Sequence, residues 1–185
     1  MKLLVPALAE LDQYADALRR GGYWADNLRR EESAEEELTK IAADPAAFVA
    51  SLDDREAKAG PVILPDGSEV KRLPGYRRWM WDDGFCGSIG FRWQPGTSEL
   101  PEYVLGHIGY IVVPWKRGRG YASKALALLL PEARKEGLAW VDLTTDIDNI
   151  PSQKVISNNG GVMVERFTKS AGHGGGEALR WRIML

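Results

Sequence analysis

The run from His107 to Ala122, HIGYIVVPWKRGRGYA, joins an apolar segment dense in β-branched residues to a second apolar segment, SKALALLL, spaced as a helix. Between the two stand Gly118 and Gly120 and the cations Lys116, Arg117 and Arg119. A connection that only had to turn would need neither both glycines nor the cations. Glycine lets the backbone curl around a guest, and the N–H groups that open a helix face outward at the positive end of its dipole. That arrangement suits phosphate oxygens. For a Gly-x-Gly by itself a plain strand-to-helix connection with solvated cations is the better reading. Here strand, loop, cations and helix start agree, and anion binding is favoured.

The remainder of the chain reads as a mixed α/β sheet. LLVPA gives a first short strand, and ELDQYADALRRG gives a helix with Gly21 as its stop. SAEEELTKIAADPAAFVASLDD is helical with a break at Asp44-Pro45. Residues 59–76 hold three prolines and three glycines, which predicts an ordered loop or a small hairpin. RRWMWDDGFCGSIGFRW predicts two strands joined by a tight turn at Asp83-Gly84. VLGHIGYIVV is a third strand, bounded by Pro114. A helix follows from Tyr121 to Glu136, kinked or weakened at Pro131 and stopped by Gly137. AWVDLTT is a buried strand, NIPSQKVISNNGG a short helix with Pro151 in its first turn, and VMVERF and ALRWRIML close the chain as strands around SAGHGGGE.

Length and composition bound the function. A chain of 185 residues with 44% hydrophobic residues is expected to form one domain over 1–185 with a substantial core. The net charge of −2 gives no bulk reason to expect nucleic acid. Residues 1–60 carry 8 Lys and Arg against 13 Asp and Glu, largely in the run Glu31 to Glu37, expected to be a solvated helix face. One cysteine, Cys86, and two histidines, His107 and His173, leave no cysteine-rich or multi-histidine metal site, so no metal is expected. No apolar run approaches the ~20 residues that span a bilayer, so no membrane partner is expected. MKLLVPALAELD has only seven apolar residues before Glu10 and Asp12, which argues against a secretory signal and for a cytoplasmic location.

Several phosphate ligands fit a glycine-rich turn. GRGYAS lacks the third glycine of the dinucleotide fingerprint, although Asp142 lies ~20 residues on, where a ribose ligand falls, and keeps a nicotinamide-dependent oxidoreductase open. No Gly-Lys-Ser/Thr ends the turn, which removes the P-loop. CGSIG misses the nucleophile elbow by its first glycine and sits in a hairpin, and HGGG from His173 to Gly176 reads as a loop.

The residues Arg117-Gly118-Arg119-Gly120-Tyr121-Ala122 resemble the Arg/Gln-x-x-Gly-x-Gly/Ala loop of the GNAT superfamily of acyl-CoA-dependent N-acetyltransferases. GYIVVP before it resembles that family's fourth strand. Asn149-x-x-Ser152-x-x-Val155 and Asn158-Asn159-Gly160-Gly161 resemble its second cofactor-side motif. The resemblance is clear over about 104–167 and reaches an uncharacterised bacterial branch; the first hundred residues match in outline. It implies an α/β (α+β) fold, a mixed and mostly antiparallel central sheet flanked by helices.

It also implies an N-acetyltransferase that moves an acetyl group from acetyl-CoA to a primary amine of a small molecule or peptide. The pyrophosphate would lie on the amides of Arg117, Gly118, Arg119, Gly120, Tyr121 and Ala122. The strand end Ile111, Val112 and Val113 would pair with the pantetheine arm, with an N–H near Val112 polarising the thioester carbonyl. Asn149 and Ser152 would lie beside that arm, Asn149 also being a natural helix cap. An amine attacks only unprotonated, so a general base is expected, and His107 sits near where relatives often carry a strand glutamate. A packed, hydrogen-bonded histidine is the alternative. Where many relatives have a tyrosine that protonates the thiolate this chain has Ile156, so either another group serves, with Tyr110 the nearest by sequence, or water does, or the chemistry differs. A non-catalytic acyl-CoA sensor remains the alternative function. The seven tryptophans, with Trp79 and Trp81 set against Trp93, suit a core or a homodimer contact.

Overall fold

The structure is a computed structural model that describes residues 1–21, 30–64 and 67–185. In chain order its elements are β1 (Lys2–Leu4), α1 (Leu8–Arg19), α2 (Arg30–Ala43), α3 (Pro45–Ser51) and β2 (Asp53–Asp54). A small hairpin, β3 (Val62–Ile63) and β4 (Glu69–Val70), precedes β5 (Gly75–Trp81), β6 (Phe85–Arg92) and β7 (Ile108–Val112). Then come α4 (Tyr121–Lys135), β8 (Trp140–Asp146), α5 (Ile150–Ser157), β9 (Val162–Thr168) and β10 (Glu177–Met184).

Local chemistry sets these boundaries. Asp44 accepts the Ala47 N–H at 2.9 Å and caps α3, with Pro45 in the first turn, so the predicted break becomes two helices. Asp83 and Gly84 both have positive φ, which lets the three residues Asp82–Gly84 reverse the chain between Trp81 and its strand partner Phe85. Helix α4 runs through Pro131, which has no N–H for the ladder, and stops at Gly137, φ 81°. The expected hairpin within 59–76 forms as β3–β4, while Pro65 and Asp66 in its loop lie outside the described residues.

Two sheets result. The first runs β1-β5-β6-β7, all antiparallel, with β2 on the same edge of β5 as β1. The second runs β8-β10-β9, also antiparallel. Alternation along the strands gives the first sheet two faces. One face carries Trp79, Phe85 and Val113 against Tyr14, Leu18 and Phe48 of the N-terminal helices. The other carries Ile89, Phe91 and Ile108 against Leu126 and Leu129 of α4. Trp79 is fully buried and stacks on Tyr14, centroids 4.9 Å apart. Trp93, expected beside Trp79 and Trp81, belongs instead to the α4 face, where it stacks on Phe91 at 5.1 Å.

The acidic run is not wholly solvated. Glu32, Glu35 and Glu36 are exposed, but Glu37 turns inward to Tyr14 and to Arg77 of β5, whose Nη1 donates at 3.0 Å.

Candidate active site

Strands β7 and β8 meet at one point. The His107 N–H donates to the Asp142 carbonyl at 2.7 Å, and the Asp142 N–H donates to His107 Nδ1 at 2.9 Å. Gly106 makes the approach feasible, because a Cβ there would stand 3.0 Å from the Asp142 carbonyl oxygen. Beyond this apex no backbone hydrogen bond joins the two strands among the described residues. They form a wedge.

The wedge has backbone without a strand partner along one wall. Arg92 N–H donates to His107 O at 2.9 Å and Val113 N–H to Cys86 O at 3.0 Å, so the odd-numbered residues of this segment pair with β6. Antiparallel alternation then turns the N–H and C=O of Ile108, Tyr110 and Val112 to the opposite edge, into the wedge. Ile111 and Val113 sit on the N-terminal-helix face and Val112 on the α4 face.

The glycine loop lies at the open end. After a single 3-10 turn over Pro114–Lys116 the chain passes through Gly118 at φ 76° and Gly120 at φ 74°, both left-handed. A Cβ at either glycine would meet nothing within 4 Å, so the space over the loop is open. Helix α4 starts here, its first bond running from the Lys124 N–H to the Gly120 carbonyl at 3.1 Å. The amides of Tyr121 and Ala122, in the first turn, therefore have no intrahelical partner. Such a set of outward donors with the exposed Arg117 and Arg119 beside it fits a phosphate-bearing guest. The Arg117 Nε donates to Val112 O at 3.1 Å and ties the loop to the strand end. Lys116, expected among the loop's cations, turns instead to the β5–β6 hairpin, within 3.5 Å of the Asp82 and Asp83 carbonyls. The Tyr121 side chain also points inward, its hydroxyl donating to Asp82 at 2.8 Å.

Helix α5 supplies the other wall. Asn149 is its cap, accepting the Ser152 N–H at 3.1 Å. Ser152 Oγ lies 2.7 Å from the Tyr110 hydroxyl, so the phenol expected from sequence meets the serine expected from sequence. Burial pushes the Tyr110 phenol up to about 12, which keeps it protonated and able to donate at neutral pH. Asn159 binds Ser123 in the first turn of α4, its Nδ2 donating to the carbonyl and hydroxyl at 3.2 Å. Sequence reasoning matched the Asn-Asn pair to a motif without finding this role. Ile156 is a core residue, 1% exposed, and offers no proton.

His107 differs most from expectation. Its ring is fully enclosed, Nδ1 accepts from Asp142, and Nε2 has no hydrogen-bond partner. Desolvation lowers its pKa to about 4, against weaker opposition from the Asp142 carboxylate. Asp142, whose spacing left a ribose contact open, is buried and holds Arg182 of β10 through two bonds of 2.8 and 2.9 Å. It has no surface to offer a ribose. His173, in the segment read as a loop, is half-buried, with Nδ1 2.9 Å from Ser170 Oγ and Nε2 3.3 Å from the Tyr103 carbonyl. No group of three or more metal-ligating side chains occurs among the described residues.

The family profile of the Acetyltransferase (GNAT) domain matches residues 6–162. The chain belongs to the GNAT family of acetyltransferases. No curated protein matches it. Solved structures do. A ribosomal-protein alpha-N-acetyltransferase in complex with coenzyme A is 12% identical, with 99% of this chain and 93% of that one covered at a TM-score of 0.63. The microcin self-immunity acetyltransferase, in complex with acetyl-CoA and AMP, is also 12% identical, covering 99% and 91% at 0.59. A spermidine N-acetyltransferase chimera built in part from the Vibrio cholerae enzyme is 15% identical, covering 99% and 94% at 0.54. At these identities the likeness is one of fold. No helix among the described residues is long and apolar enough to cross a membrane.

Proposed function

We propose that the chain, acting as one catalytic unit over 1–185, transfers an acetyl group from acetyl-CoA to a primary amine. The observation that carries this reading is the wedge between β7 and β8, closed by His107 and Asp142 and open toward the Gly118–Gly120 loop. Three relatives of this fold act on amines or hold CoA, acetyl-CoA or AMP, which supports the cofactor without choosing the acceptor.

The pyrophosphate sits on the amides from Arg117 to Ala122. The pantetheine amides pair with the inward-facing backbone of Tyr110 and Val112 as a further strand. The Val112 N–H polarises the thioester carbonyl where negative charge develops. The amine nitrogen attacks the carbonyl carbon and the C–N bond forms; the C–S bond then breaks, and the Tyr110 hydroxyl, held by Ser152, protonates the departing thiolate.

His107 is better suited to hold the apex than to take the amine's proton. Its one available lone pair is bound to the Asp142 amide and its ring is enclosed. The amine then enters as its free base and after attack releases its proton to solvent, from which Tyr110 regains the proton it gave to the thiolate.

Calorimetry with acetyl-CoA, CoA and NAD, followed by acetylation assays on an amine panel, tests the reading. Binding of both CoA species with turnover of an amine is expected. Binding of NAD alone would overturn it, and CoA binding without any turnover would leave the sensor.

A further inference from the structure

The N-terminal-helix face of the first sheet has a bare floor. Gly90 on β6 pairs directly with Gly109 on β7, and Arg77 on β5 pairs with Gly90, so the three stand in one row on one face. A Cβ on Gly109 would find only the Arg92 guanidinium within 4 Å, at 3.9 Å. A Cβ on Gly90 would meet only backbone oxygens, at 3.7 and 4.0 Å. Beside this floor opens a cleft of about 350 Å³ whose walls include Gly90, Arg92, Arg77, Lys71, Arg72 and Tyr103.

The position of the cleft is informative. The phosphate loop follows the C-terminal end of β7, whereas Arg92 binds His107 at the strand's beginning. Gly109 adjoins Tyr110, where the reactive end of a pantetheine arm running up the wedge would arrive. The cleft reaches Gly90, the β6 partner of Gly109, from the end of β7 opposite to the phosphate loop. The Tyr103 wall is held by its hydroxyl on the Lys71 carbonyl at 2.7 Å and by the contact of His173 with its own carbonyl at 3.3 Å.

The charge of the walls is one-sided. Among the described residues Lys71, Arg72, Arg77 and Arg92 line the cleft, with Asp54 as the acidic residue. Arg77 is matched by Glu37 at 3.0 Å, and the Asp54 carboxylate accepts the Lys58 and Ala59 amides at 2.7 and 3.1 Å. Lys71 and Arg92 are exposed. Such walls attract an anion and repel a polycation.

We propose that the acceptor amine is presented from this cleft and that it carries a carboxylate, in a molecule of about dipeptide size. Arg92, over the glycine floor, and Lys71, on the wall, hold the carboxylate and set the amine beside Gly109. The inference rests on the acetyl-transfer reading and names its substrate class.

The test uses alanyl-alanine with a free carboxylate, its amide, alanyl-glutamate amide, alanyl-lysine amide and spermidine as acceptors. The free acid or the glutamate amide, according to which carboxylate is read, should exceed the neutral amide and spermidine in kcat/KM by about tenfold or more. Arg92→Gln and Lys71→Gln should each remove most of that preference through the acceptor KM, with the KM for acetyl-CoA unchanged. Equal or better use of spermidine or the lysine amide, or indifference to both substitutions, would overturn the proposal. If no acceptor turns over, melting with millimolar peptide, with and without CoA, still decides. A rise in Tm for the carboxylate peptide that is lost in Arg92→Gln supports the cleft, and no rise overturns it. Failure of CoA to bind in calorimetry would strike the acetyl-transfer reading alone.

Discussion

His107 and Asp142, from different sheets, hold each other through two bonds, main chain to main chain at 2.7 Å and main chain to imidazole at 2.9 Å. Because Nδ1 must accept, the ring is neutral with its proton on Nε2. Protonation at Nδ1 would leave two donors facing each other at the apex. The carboxylate of Asp142 is meanwhile bound to Arg182, so one residue connects β7, β8 and β10. The wedge depends on this joint, since the strands are otherwise free to part.

The joint should make stability depend on pH. His107 has a folded pKa of about 4 against an ordinary 6.5, so below about 6.5 the unfolded chain takes up a proton that the folded chain refuses. Its contribution is therefore complete above that pH and is lost as pH falls toward 4, in total about 3 kcal/mol. Thermal melts should show Tm falling between pH 6.5 and 5, before most carboxylates titrate. His107→Gln should flatten that slope.

The rate should not follow a histidine. With the amine entering as its free base, kcat/KM should climb with pH toward the amine's own pKa, ~8 for a peptide α-amine and ~10 for an alkylamine, with no inflection between 5 and 7. His107→Gln should keep that profile. An inflection near 6.5 that vanishes in the variant would make His107 the base.

Tyr110→Phe removes only the hydroxyl that meets Ser152 at 2.7 Å. Turnover should fall by less than the ~10²–10⁴-fold of a typical acid–base residue, because a thiol of pKa ~8.5 leaves readily. The affinity for acetyl-CoA should not change, and single-turnover kinetics with calorimetry separate the two. Undiminished turnover would move the acid elsewhere.

The loop, the two helices of its motifs and the hairpin were legible because each rests on local chemistry: glycines where φ is positive, Asp44 and Asn149 as caps, alternation along β5 to β7. Facing relationships were not. That Lys116 turns to a hairpin, that Glu37 leaves an acidic run to meet Arg77, and that Trp93 lies on the other face from Trp79 all depend on which surfaces the sheets bring together. The histidine shows the limit most clearly. Its type and strand position suit a base, and only the approach of β8 determines that its lone pair is already taken.

Gly120 gives the sharpest test of the phosphate site. Its φ of 74° is a conformation that side chains adopt only with strain, yet a Cβ there would touch nothing within 4 Å. Gly120→Ala should therefore cost stability by about 1 kcal/mol while leaving CoA affinity only modestly reduced. Gly120→Glu adds the same strain and also sets a carboxylate among the amides that await the pyrophosphate. Like charges at such a site repel, and the side chain takes up the open space. Calorimetry with CoA should find binding lost in Gly120→Glu, with far-ultraviolet circular dichroism and a cooperative melt matching Gly120→Ala. Comparison of the two variants separates charge from backbone strain. A folded Gly120→Glu that binds CoA as tightly as Gly120→Ala would reduce the loop to a connection between β7 and α4.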